Sequence, residues 1–335
     1  MSQSILRHYV ALGASTAAAK SLLQDEQTTL DHARGLRREM AELEAIGRTA
    51  VRYNALDPIC ALAEMNGLMA FIHDPTTEPS VEGLLSGLKE LITKTRAAAA
   101  KPSHRIQEMD LKGAIAAAKQ TDQAFHELMS QLSHDFPKKY KYKPEMVNET
   151  IENGVPLNPL LDALRSFTTM TGLIEKVMAR PAPHTALEFD AYVKGVRTDL
   201  MPLKAVWGEG IDDEGLLDQS GPDILKAKRT TGSVSALGFN TPAAFGRFFT
   251  AMKGAALVSA AGILARTDAK FTELRKLHAE QNKVGGNKEA RETLERYAES
   301  IYAIGLVMTL GYLDHRYTIA NIFLQLLNAM YDYKE

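Results

Sequence analysis

Residues 291–323 read "RETLERYAESIYAIGLVMTLGYLDHRYTIANIF", and the fold turns on how this run is read. Positions three and four apart share one face of a helix. Ile301, Ile304, Met308, Gly311, Tyr312, His315, Ile319 and Ile322 therefore form one stripe, which predicts a helix over 287–331. His315 sits inside that stripe, between Asp314 and Arg316. The same periodicity recurs along the chain, predicting helices near 4–22, 26–52, 56–72, 80–99, 105–136, 157–179, 185–200, 241–265 and 268–282. No run of alternating β-branched residues competes with it. The expected fold is an all-α, compact multi-helix globule. Its helix ends carry capping chemistry: Ser80, Thr241 before Pro242, and Asn287 after the "VGG" stop at 284–286.

Three stretches interrupt the pattern. "HDPTTEPS" at 73–80 reads as a turn-rich connector, and 135–159 as a long loop or a domain boundary. The segment 207–240 is the longest irregular one; its Trp207, Leu216, Leu217, Ile224 and Leu225 let it dock as an ordered functional loop. The resulting division is an N-terminal helical region, 1–135, and a C-terminal one, 136–335, packed as one domain.

Hydrophobic residues at 45% and charged residues at 24% give ample material for a core. Lys plus Arg number 39 against 41 Asp plus Glu, a balance that argues against a nucleic-acid partner. Cys60 is the one cysteine, which excludes an intrachain disulfide and a multi-thiolate zinc site. The opening "MSQSILRHYV" lacks the pattern of a secretory signal, and the longest apolar or small run, 255–265, is too short to span a bilayer. A cytoplasmic protein without a membrane span is expected.

An imidazole inside an apolar stripe must find a partner, because an unsatisfied polar group there is costly. One reading is structural, with His315 bonding a carbonyl or carboxylate. The other is metal ligation: neutral imidazole ligates iron, and an apolar helical pocket suits a haem. Gly311, one turn earlier, leaves room for a flat macrocycle; Arg316 could pair with a propionate, and Asp314 could help orient a ring nitrogen.

On these residues the chain weakly resembles the indoleamine/tryptophan 2,3-dioxygenase-like haem superfamily, including the pyrrolnitrin-biosynthesis branch. The similarity covers roughly the last 150 residues and rests on 291–323, on "TTGSVSALG" at 230–238, and on "FDAYVKGVRTDLMPLKAVWGEG" at 189–210. It implies one haem b with His315 as axial iron ligand, and dioxygen activated on an aromatic amino acid or indole-like substrate. Thr231, Gly232 and Ser233 would form the distal wall, with Thr231 and Ser233 as catalytic hydrogen-bond donors. Arg229 would hold a propionate or a substrate carboxylate.

Other constellations have plainer readings. His126 and His134 lack the second histidine of a zinc-protease spacing, and Glu64 with His73 lacks the paired pattern of di-iron bundles. "KKYKYK" at 138–143 reads as an exposed loop. Gly246, Thr250, Gly254, Val258 and Gly262 recur at steps of four; internal packing is the favoured explanation, and a subunit interface, hence a homo-oligomer, is the alternative. Two functional classes stand: a haem-dependent oxygenase, and a non-enzymatic helical assembly factor or helical toxin component.

Overall fold

The computed structural model describes residues 1–53, 110–136, 138–201, 230–283 and 287–334. The chain divides into two compact units, one of Met1–Gln27 with Asp110–Glu335, the other Thr28–Met109. The described residues are overwhelmingly helical: α1 (Gln3–Tyr53), α2 (Lys112–Asp135), α3 (Leu157–Met178), α4 (Ala186–Leu200), α5 (Pro242–Ala255), α6 (Ala260–Lys283) and α7 (Lys288–Met330). The strands are short: β1 (Tyr140–Tyr142), β2 (Thr150–Gly154), β3 (Thr230–Ser233) and β4 (Tyr331–Tyr333). The all-α globule read from periodicity is the observed class.

The core of the first unit is built around α7. From Glu299 to Leu313 every residue is buried, so the helix is covered on its whole circumference rather than along one stripe. A helix apolar all round demands such cover, and 301–313, "IYAIGLVMTLGYL", is nearly so. α1 runs antiparallel to it. Tyr9 stacks on Tyr317 with ring centroids 5.4 Å apart, Lys20 bonds Asp314 at 2.6 Å, and the Tyr302 hydroxyl donates to Glu26 at 2.7 Å. On α1, Leu12, Thr16, Ala19 and Leu23 are buried at alternating steps of four and three, the spacing of a helix–helix seam. α6 packs on α7 and α2, and α5 packs on α3. Phe245 and Phe323 join α5 to the end of α7 with ring centroids 4.6 Å apart.

The stretch 135–159, expected as a long loop or a domain boundary, carries β1, a 3-10 turn (Pro144–Asn148) and β2. β1 pairs antiparallel with β4, setting Tyr140 opposite Tyr333 and Tyr142 opposite Tyr331. The expectation of an exposed "KKYKYK" loop fails for a simple reason. Alternation of period two sends Tyr140 into the aromatic core beside Phe136, while Lys141 points outward. β2 pairs antiparallel with β3, placing Ile151 opposite Gly232. Part of the expected loop 207–240 is therefore strand and turn at 230–240; residues 207–229, Arg229 and Trp207 included, lie outside the described residues.

Helix boundaries differ from expectation at three places, the first being α2, which begins at Lys112 rather than near 105. α1 is continuous where two helices are expected to part near 22–26, because Glu26 and the buried Gln27 carry the turn against the core. The helix expected over 241–265 is instead broken after Ala255 and restarts at Ala260.

Candidate functional site

Asp314, His315 and Arg316 occupy one turn of α7 and leave it in different directions. Asp314 pairs with Lys20 of α1. Arg316, 3% exposed, donates from Nη1 to Asp122 Oδ1 of α2 at 2.7 Å. His315 is 2% exposed between them. The flanking charges thus pin the middle of α7 to two neighbouring helices, which accounts for their presence in an apolar run.

The Arg316 end of this turn belongs to a larger polar cluster at the α5–α6 break. Breaking a helix leaves carbonyls free at one side and N–H groups free at the other. Here both sets find partners from outside. The Tyr312 hydroxyl shares its single proton between the carbonyls of Val258, 2.8 Å away, and Ala255, 3.2 Å away. The Asp122 carboxylate accepts from the backbone N–H of Ala260 and of Ala261, each at 3.1 Å, and from the Ser259 hydroxyl at 2.8 Å. Ser259 Oγ in turn accepts from Gly262 N–H at 3.0 Å, capping α6. Arg316 connects the two sides, since its Nη1 lies 3.4 Å from the Tyr312 hydroxyl as well as on Asp122. Its guanidinium rests against the Phe125 and Tyr312 rings, 5.1 and 4.9 Å from their centroids. Burial raises the Tyr312 hydroxyl above its ordinary range despite the nearby Arg316 cation, keeping it a donor.

The helices that meet at this break have an unusual surface. Leu257, at the corner, is 88% exposed. A side chain added at Gly246 or Gly254 would meet nothing within 4 Å, so this part of the small-residue stripe faces open space rather than the internal contact expected for it. Val258, by contrast, is buried. Between Arg247 and Arg266 the sequence holds a single charge, Lys253. Among the described residues, Pro242–Glu280 has the length and apolarity of a membrane-crossing helix, with a mean hydropathy of 1.6 in an 18-residue window. Buried core helices of soluble proteins share that composition, but here 44% of the window is buried. No firm span follows from it: α5 has 14 residues and is about 21 Å long, short of the ~30 Å hydrocarbon layer.

The residues expected to build a haem pocket are placed as follows. Thr231, Gly232 and Ser233 lie in β3 against β2. Ser233 Oγ accepts from Ala236 N–H at 3.2 Å and so closes its own turn, while Gly232 lies beside Leu237. Arg316 is committed to Asp122 rather than to a propionate-like anion. Arg229 is outside the described residues, as are Cys60, Glu64, His73 and the acidic stretch 212–223. His126 and His134 are both exposed, and no group of three His, Cys, Asp or Glu able to hold a metal occurs among the described residues. Of the haem set, His315 and Arg316 are the buried members among the described residues, at 2% and 3% exposed. Sequence reasoning passed over Asp122, Ser259 and Tyr312. Each is unremarkable locally, and their meeting depends on α2 and α7 crossing at the α5–α6 corner. Compared with models of known families, with curated proteins and with solved structures, the chain matches none.

Proposed function

We propose that the protein is a membrane-active helical component, of the helical-toxin kind, that offers the Pro242–Glu280 stretch to a lipid bilayer. The observation that carries this reading is the partly exposed stretch 248–265, in which Lys253 is the single charge and Leu257 is 88% exposed. A soluble surface helix ordinarily turns charged residues outward. Here the exposed positions from 248 to 265 are Thr250, Lys253, Leu257, Ser259 and Ala265, with Lys253 the one charge among them. If the two helices joined, residues 248–265 would form a cylinder about 27 Å long, apolar but for Lys253 and close to the thickness of the hydrocarbon layer. Arg247 and Arg266 would flank it, where long basic side chains reach the headgroups.

The test is flotation of the purified chain with phosphatidylcholine–phosphatidylglycerol vesicles, together with release of an entrapped dye. The wild-type chain should float with lipid and release dye. Leu257→Asp should weaken partitioning by at least about tenfold, since burying a leucine is worth roughly 1.5–3 kcal/mol. Failure to float at any lipid concentration, in the wild-type chain and in Asp122→Asn alike, would remove this reading.

A haem-dependent oxygenase acting on an aromatic substrate is the second reading, favoured by the depth of His315 on α7. It requires a strong Soret band after reconstitution with haem, and a weakened or shifted band in His315→Ala. A colourless wild-type chain after haem supplementation would eliminate it.

A further inference from the structure

The break between α5 and α6 is imposed from outside rather than written in the local sequence. Residues 248–265 read "FFTAMKGAALVSAAGILA", with no proline, and the corner residues 256–259 contain no glycine. Alanine and leucine are strong helix formers, and periodicity alone predicts a helix continuing through this point. What stops it is the set of side chains delivered by α2 and α7. Tyr312 donates to the Val258 and Ala255 carbonyls, the latter also accepting from Val258 N–H in the turn, and Asp122 takes the N–H groups of Ala260 and Ala261 that a continuous helix would direct at residues 256 and 257. Only Ser259 of the corner itself assists, by capping α6 and donating to Asp122.

The cluster is also poorly supplied with alternatives. Arg316 is buried, and among the described residues its Nε and Nη2 find no hydrogen-bond acceptor. Among those residues the Asp122 carboxylate is thus its hydrogen-bonded anion, and the same carboxylate holds the start of α6. Losing that one group frees the α6 N-terminus and strands the cation together, so the bend and the packing around it are coupled.

We propose that Asp122, Arg316 and Tyr312 form a latch that keeps α5 and α6 bent, and that opening it lets the two join as one straight helix that enters a bilayer. The latch rests on the membrane-active reading and adds the control to it: the packed form stores the apolar segment as two shorter pieces.

Spin labels at Gly246→Cys and Ala269→Cys, in a Cys60→Ser background of the full chain, report the bend directly. Gly246 has open space for the label, and Ala269 is exposed. In a straight helix the two backbone positions lie about 35 Å apart; the interruption over 256–259 should hold them closer in the latched chain. The comparison is among the latched chain, Asp122→Asn and Tyr312→Phe, each in buffer and with phosphatidylcholine–phosphatidylglycerol vesicles. Tyr312→Phe keeps the ring and removes only the hydroxyl, so it serves if Asp122→Asn does not fold. With vesicles, the latch variants should populate the distance near 35 Å and partition at least about tenfold better than the latched chain. Variants that bind lipid no better than the latched chain, or bind while keeping its shorter distance, overturn the latch and leave the membrane reading intact. If no form binds lipid, the membrane reading fails; an unchanged distance in buffer then overturns the latch as well, whereas lengthening there upholds the bend control without the bilayer.

Discussion

Gly305→Ala probes the contact that holds α6 against α7. A Cβ built at Gly305 runs into the side chain of Thr267, clashing with its Oγ1 and Cγ2 and lying 2.8 Å from its Cβ. Thr267 is fully buried, and its hydroxyl donates to the Ile263 carbonyl at 3.0 Å, so it has nowhere to retreat. Overpacking of this kind costs about 1–3 kcal/mol. Replacing a mid-helix glycine by alanine returns up to about 1 kcal/mol through helix propensity. The net loss should be about 1–2 kcal/mol, or a fall of roughly 1.5–3 °C in the unfolding midpoint followed by circular dichroism. Thr267→Ala removes the obstructing atoms, so in that background Gly305→Ala should cost nothing or stabilise, giving a coupling of about 1 kcal/mol or more. Equal losses in both backgrounds, or a Gly305→Ala chain as stable as wild type with Thr267 present, would refute the close α6–α7 approach. Because that approach holds α6 in the packed form, Gly305→Ala should also increase vesicle partitioning.

Asp122→Ala should lower stability by about 3–5 kcal/mol in urea unfolding, since it leaves the buried Arg316 cation without its carboxylate. Lys20→Ala, which removes the part-exposed partner of Asp314, should change the same midpoint by less than about 1 kcal/mol. Asp135 supplies a pH dependence: burial opposes its ionisation, but hydrogen bonds from His134, Gln131 and Lys139 outweigh that and bring its carboxyl down to about 2. A depressed folded-state pKa contributes stability that is complete above the ordinary carboxylate range and lost as pH falls from about 4 towards 2. The urea midpoint of wild type should fall across that window more steeply than that of Asp135→Asn.

Much of the helical layout was legible from local rules. The helices expected at 157–179 and 185–200 correspond to Leu157–Met178 and Ala186–Leu200, and Thr241 and Asn287 cap α5 and α7 through their side chains. What escaped has long-range causes. The α5–α6 break depends on Asp122 and Tyr312, and β1 exists because β4, far along the chain, pairs with it. The same limit applies to the candidate site. The stripe on α7 made the burial of His315 readable, whereas the partner of Arg316 lies 194 positions away on α2 and no spacing rule reaches it.

The encirclement of α7 bears on how the chain acquires its shape. Its principal partners on α1 come almost 300 positions earlier, as with Tyr9 and Tyr317 at a separation of 308. Folding rates of helical proteins are usually high because their contacts are local. Here the α6–α7 packing is local, but the α1–α7 seam joins the two ends of the chain, so α1 leaves the ribosome long before the helix that covers its apolar face. Refolding should be slow for an all-helical molecule and sensitive to protein concentration, and a chaperone that shields that face during synthesis should raise the yield of folded chain.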